Sequence, residues 1–207
     1  MDEVYKLVHD AYLWRGYCAP QSDGRLRHYP HLDGITETTV IIGIDNGEIV
    51  GTVAYTDDGV NGLHVDDDYK AIVDTIRREE RKLGSSWRIA TKRDYRSEHG
   101  LVNALLEAVI HHWIDKRVET VLFTFNPRHE KVYARLWNLT AIGRSDGTVL
   151  GLENAPSVLM RWDIERCPAK WLNTPKRKAF QEEVLARQKT AAGRTGCRWH
   201  ARGEHCS

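Results

Sequence analysis

The chain has 207 residues, 41% of them hydrophobic and 29% charged, with a formal net charge of +1. That composition describes a folded domain with a sizeable core and excludes a disordered chain. No apolar run reaches the roughly 18 residues of a membrane span, and four cysteines are too few for a disulfide scaffold of this size.

The opening residues, MDEVYKLVHD, are acidic and amphipathic, unlike a secretory signal, so a cytoplasmic protein is the expectation. Charge is spread unevenly. Residues 167–207 carry nine Lys and Arg against three Asp and Glu, while residues 1–166 carry twenty-one against twenty-six. This divides the chain into a domain over 1–166 and a basic C-terminal extension over 167–207, partly helical and then irregular.

Val4, Leu7, Val8 and Ala11 recur at helical spacing, giving a first helix over about 2–15 that Gly16 can cap. Residues 18–37 are rich in Gly, Pro, Asp and His without a period, a loop of the length that often carries function. Thr38–Ile44 is β-branched, Asp45-Asn46-Gly47 is a hairpin turn, and Glu48–Thr56 is the returning strand. Tyr69, Ile72, Val73 and Ile76 form one helix face, with Asp66, Asp67 and Asp68 at its positive end. Ser86–Thr91 reads as a short strand. Strict alternation there points Arg88 away from Trp87 and Ile89.

Gly100 precedes a helix with Leu101, Leu105, Ala108, Val109 and His112 in register. Val118–Phe125 is almost continuously apolar, as a strand covered on both faces would be. Pro127 ends it, and the turn Asn126-Pro127-Arg128-His129 leads into a helix over 130–138 bearing Tyr133, Leu136 and Trp137. Ile142–Gly143 and Ser157–Asp163 are late strands. Beyond Cys167 the periodicity weakens to Phe180 and Val184, and it ends at Ala191. The middle strand–helix–strand unit implies one parallel crossover and the hairpins imply antiparallel pairs. The fold class is α/β, with a mixed, mostly antiparallel twisted sheet flanked by helices.

Candidate chemistry gathers at two places. The turn after the buried strand sets Arg128, His129 and Tyr133 at a strand end, where α/β sheets hold ligands. Arg96 and Gly100 lead into a helix N-terminus, a natural anion site, although Glu98 repels phosphate. In the tail, Cys197, His200, His205 and Cys206 have zinc-ligand types. The loop is tight and two of the four are adjacent, so no metal is expected.

Six segments in order carry a family resemblance: VYKLVHDAYLWRGYCAP, the hairpin IDNGEIVGT, GLHVDDDY, WRIA, NPRHEKVYARLWNL and APSVLMRWDI. Together they resemble the GNAT acyltransferase superfamily and, within it, the long-chain N-acyl amino acid synthases related to acyl-homoserine-lactone synthases. The resemblance implies a GNAT-like sheet and an N-acyltransferase. It would move a fatty-acyl group from an acyl carrier protein or coenzyme A thioester to a primary amine such as an amino acid. It places the general acid at Tyr133 and a carboxylate- or carbonyl-binding guanidinium at Arg88. His129 is either a base or, with Asn126 and Arg128, a group that satisfies the turn. Ile89, Ala90, Arg96, Gly100, Asn126 and Arg128 are the expected donor contacts.

No tightly bound cofactor is implied, since the thioester is a substrate, and no nucleic-acid partner is expected. Three departures stand out. The first element is a helix where the family has a strand. Ser85 stands three places before Arg88, where the family often has an acid. The pyrophosphate loop is reduced to Arg96-Ser97-Glu98-His99-Gly100-Leu101. One glycine suits the single phosphodiester of a pantetheine arm, which favours acyl carrier protein, with Arg77, Arg78, Arg81, Lys82, Lys92 and Arg93 as its docking patch. A peptide- or lysine-acylating maturase, and a catalytically silent binding protein on the same fold, are the alternatives.

Overall fold

The computed structural model describes residues 1–79, 81–95, 99–145 and 156–196. Arg96 and the tail residues Cys197, His200, His205 and Cys206 lie outside the described residues. Six strands form one sheet: β1 (Thr38–Asp45), β2 (Glu48–Asp57), β3 (Leu83–Thr91), β4 (Thr120–Phe125), β5 (Thr140–Ser145) and β6 (Ser157–Asp163). Their order is β1-β2-β3-β4-β6-β5. Only β3 and β4 are parallel; the other four pairings are antiparallel, as the hairpins and the single crossover imply. The β1–β2 turn places Asn46 and Gly47 at φ 48° and 82°, the left-handed pair that a two-residue hairpin needs.

Period-2 alternation assigns the two faces of the sheet. Val53, Tyr55, Val121, Phe123, Val158, Met160 and Trp162 face helix α3 (His99–Asp115), packing on Leu105, Val109, Ile110 and Trp113. Leu122 and Leu159 face the opposite way, onto Tyr69, Val73 and Ile76 of α2 (Asp66–Arg77). Helix α1 (Asp2–Trp14) lies beside α2 on that second face, with Val4, Val8 and Tyr12 buried over Ala90. A short helix, α4 (Glu130–Trp137), follows β4.

The sequence underreads two elements. β3 begins at Leu83 rather than Ser86, because Gly84 and Ser85 carry no β-branched signal although Gly84 packs beneath the Tyr55 ring. The C-terminal helix α5 runs from Pro175 to Gly196, past the loss of periodicity at Ala191. The stretch from Cys167 is also not set apart from the core. Trp171, Leu172, Phe180 and Val184 are buried in the same cluster as Trp113 and Trp162. Trp171 stacks on Trp137 with ring centroids 5.2 Å apart.

No helix among the described residues is long and apolar enough to cross a membrane. Phe180 is 2% exposed and seated in the main core. Phe180→Ala should therefore cost about 3–5 kcal/mol in denaturant-induced unfolding. An unchanged midpoint would show that residues 167–184 are an appendage.

Candidate active site

β3 and β4 pair over four residues only, from Leu83↔Thr120 to Ser86↔Phe123, and then separate. Pro127 stops β4, since a proline supplies no N–H to a ladder. On the other side a bulge in the β2–β3 register, between Thr52↔Ala90 and Ala54↔Trp87, bends β3 away. At that bulge Arg88 sits at φ 57°, a left-handed conformation costing about 1–3 kcal/mol for a residue with a Cβ.

The bulge overturns the simple alternation expected for Arg88. Its guanidinium lies 4.2 Å from the Trp87 ring centroid, on the same side of the sheet, while Ile89 alone packs toward α3. Arg88 is fully buried and held. Nη1 and Nη2 each donate to one oxygen of Asp33 at 2.7 Å, and Nη2 also donates to the His28 carbonyl at 2.7 Å. Such a bidentate pair is among the strongest polar contacts a side chain makes and offsets the backbone strain. The carboxylate expected from an acceptor is supplied here by Asp33. Arg88 Nε has no partner among the described residues.

The separation of the strands opens a cleft of about 170 Å³. Five of the sequence-expected residues meet in its wall: Arg88, Ile89, Asn126, His129 and Tyr133. Tyr133 stacks on Phe125 with centroids 4.0 Å apart, and its ring centroid lies 6.2 Å from that of His129. Burial raises the Tyr133 phenol pKa, with Arg15 pulling it down, so the hydroxyl keeps its proton at neutral pH. The Asn126 side chain accepts from the Arg128 N–H and caps the turn. His129 Nε2 accepts from Arg128 Nε at 3.2 Å. Arg128 itself is exposed and does not line the cleft; it ties His129 to the Tyr17 hydroxyl.

Two other expected contacts lie elsewhere. Ala90 is buried under α1, and Gly100 is exposed in the first turn of α3 with open space around it. The docking patch also needs correction. Arg77 is bound by Asp58, Asp66 and Asp74, and Arg81 by Glu165. Burial acts against ionisation of Glu165, but hydrogen bonds from Arg81 and Gln188 prevail and hold its pKa at about 2. Those two arginines are structural. Helical charge spacing cannot distinguish an arginine facing solvent from one answered by acids of other elements.

Sequence reasoning missed Tyr12, Arg15, His28, His64 and Thr124, all of which line the cleft. The signals were present, in a His-containing loop and in the quoted GLHVDDDY segment, but only the fold brings them to the strand ends. Among the described residues no Asp or Glu lines the cleft, whereas Arg15 and Arg88 do. Asp33 answers Arg88, so the lining cation that can meet an anionic ligand is Arg15. A larger hollow of about 790 Å³ lies between α1 and the β1–β2 turn. Two of its cations are answered, Lys6 by Asp10 and Lys92 by Glu48, and Arg15 lies between it and the cleft.

Comparison with known proteins agrees with this geometry. The family N-acyl amino acid synthase FeeM matches over residues 3–163, and the chain belongs to it. It is an N-acyltransferase that acylates the amine of an amino acid. The structure of FeeM, an N-acyl amino acid synthase from uncultured soil microbes, superposes with a TM-score of 0.68 at 21% identity, covering 82% of this chain and 91% of that one. The CoA-dependent acyl-homoserine lactone synthase BjaI gives 0.55 at 15% identity, covering 88% and 81%. An acyl-CoA N-acyltransferase from Pseudomonas aeruginosa gives 0.54 at 14%, covering 77% and 87%. These structural likenesses establish the GNAT fold. No curated protein matches in sequence.

The Arg88–Asp33 pair makes the site's shape dependent on a buried charge. Asp33→Ala leaves the guanidinium unanswered and should cost about 3–5 kcal/mol in chemical denaturation, whereas the Asp33→Ala, Arg88→Met double variant should recover most of it. Equal losses in the single and double variants would show that the pair does not support the fold.

Proposed function

We propose that in this member of the N-acyl amino acid synthase family the separated ends of β3 and β4 hold a fatty-acyl thioester, and that Tyr133 protonates its leaving thiolate. The observation that carries the reading is the cleft itself. A protonated phenol stands in it beside strand backbone that β4 no longer reaches, with Arg15 and Arg88 and, among the described residues, no acid in the wall. The pantetheine arm is an extended amide chain. It pairs with backbone groups of β3 at Ile89, which β4 no longer reaches, and its carbonyl carbon lies within reach of Tyr133. Asn126 and His129 form the opposite wall.

The acyl tail follows the apolar end of the cleft. Leu106, Phe123, Phe125 and Tyr133 are shared there with a small apolar void closed by Trp113 and Trp162. The acceptor enters from the α1 side, its carboxylate toward Arg15, which has no ion-pair partner among the described residues. Arg88 orients this wall from its pair with Asp33 and can donate through its free Nε.

The donor is an acyl carrier protein thioester in this reading. The support is the single-glycine loop with Glu98. Steady-state comparison with matched acyl chains is the test. Carrier-protein thioesters should have the higher kcat/KM, and the advantage should shrink with added salt. Better turnover of the coenzyme A ester would reverse the assignment. Peptide or lysine side-chain acylation would bring an amine with no free carboxylate beside it. The arginine-lined wall instead suits a free carboxylate.

Tyr133→Phe should lower kcat about 100- to 10,000-fold, the usual contribution of a general acid, and leave donor KM nearly unchanged. Amide formation read by mass spectrometry checks it. An unchanged kcat would remove Tyr133 from the chemistry.

A further inference from the structure

His64 lies between β2 and α2 and is enclosed, with 1% of its surface exposed. Its Nδ1 is 3.0 Å from Ser85 Oγ on β3, and its Nε2 is 3.2 Å from Thr124 Oγ1 on β4. The imidazole therefore bridges the two strands at the place where they part. Trp87 lies against one face, with centroids 6.2 Å apart, and Tyr29 meets it edge-on at 5.3 Å. The ring cannot rotate freely and its two nitrogens have fixed neighbours. Thr124 is half-buried and lines the cleft next to His64.

Amide formation requires the attacking nitrogen to lose a proton. No carboxylate lines the cleft among the described residues, so its imidazoles are the available acceptors. Of the three, His129 Nε2 already accepts from Arg128 Nε and the His28 ring lies on Tyr29 with centroids 3.9 Å apart, whereas His64 Nε2 has a cleft hydroxyl, that of Thr124, on it. On the other side of the ring the Ser85 hydroxyl abuts Nδ1. Burial, with His28 adding to it, keeps the resting His64 imidazole neutral; the same burial opposes the imidazolium, so the proton is held only while the C–N bond forms.

We propose that His64 takes the amine proton through the Thr124 hydroxyl as the C–N bond forms, with Ser85 fixing its tautomer. The inference rests on the cleft being the transfer site. Nδ1–H donates to Ser85 Oγ, and Nε2 accepts from Thr124 O–H. As nitrogen attacks the thioester carbon its N–H becomes acidic. Its proton passes to Thr124 Oγ1 while the Thr124 proton passes to Nε2, giving an imidazolium. The C–S bond breaks and the thiolate takes the Tyr133 proton. The imidazolium proton then returns to the phenolate through solvent in the cleft. From a neutral amine and a thioester the products are an amide and a thiol, with no net proton change. His64 thus acts through Thr124 and does not itself touch the substrate.

Gln at position 64 preserves a donor and an acceptor but cannot hold the extra proton. His64→Gln should lower kcat for amide formation about 100- to 10,000-fold, with donor KM changed by less than about threefold. Added imidazoles should restore His64→Ala, more strongly the more basic the imidazole. Thr124→Val should fall comparably to His64→Gln, and Thr124→Ser should retain activity. The Thr124 pair decides the matter even where the His64 variants do not fold. Full activity of Thr124→Val or His64→Gln overturns the proposal, as does loss in His64→Ala that no imidazole restores. A wild-type chain that makes no amide from any amino acid removes the reading of the cleft and this inference with it. An active wild type with indifferent variants removes the inference alone.

Discussion

The parting of β3 and β4 after Ser86 and Phe123 is the constraint on which the site depends. A sheet keeps its backbone groups paired, because a buried unpaired N–H or C=O is costly. This one gives up pairing at its centre, where strands are otherwise most tightly held. The bulge at Arg88 turns β3 aside, while β4 stays on β6 through Phe125 and ends before Pro127. The left-handed Arg88 persists because Asp33 and the His28 carbonyl fix its guanidinium. A loop segment and a strand strain are thus coupled, and the cleft is their joint product.

The electrostatics of the cleft follow from what surrounds it. Asp33 lies behind the wall with Arg88, and the acids that answer Arg77 and Arg81 do not line the cleft. The wall keeps its hydroxyls, imidazoles and guanidinium groups. Burial then pushes the Tyr133 phenol up and the His64 imidazole down, separating a proton donor from a proton acceptor. Both shifts hold the groups in their neutral forms, a phenol that carries a proton and an imidazole that can accept one, and both make the transfer itself harder.

The sequence made the hairpin, the single crossover and the strand-to-turn step at Pro127 legible, because each rests on a local rule. Asn46-Gly47 demands its turn, and Pro127 demands its stop. Tyr133 could be placed because it lies one turn into the helix that follows. The orientation of Arg88 could not, since a bulge depends on register with β2 and on Asp33, fifty-five residues away. His64 was hidden for the same reason. Its partners Ser85 and Thr124 are distant in sequence and adjacent only in the sheet. The extension looked irregular because α5 is anchored by a few apolar residues, Phe180 and Val184, rather than by a continuous stripe.

Amide hydrogen exchange with a non-hydrolysable acyl-pantetheine thioether tests the central claim most directly, because it reads which backbone the donor covers. The account predicts new protection at residues 88–91 and 124–126, the strand ends that pair with nothing across the cleft. Protection confined to the charged hollow between α1 and the β1–β2 turn, with these strand ends exchanging as before, would contradict it.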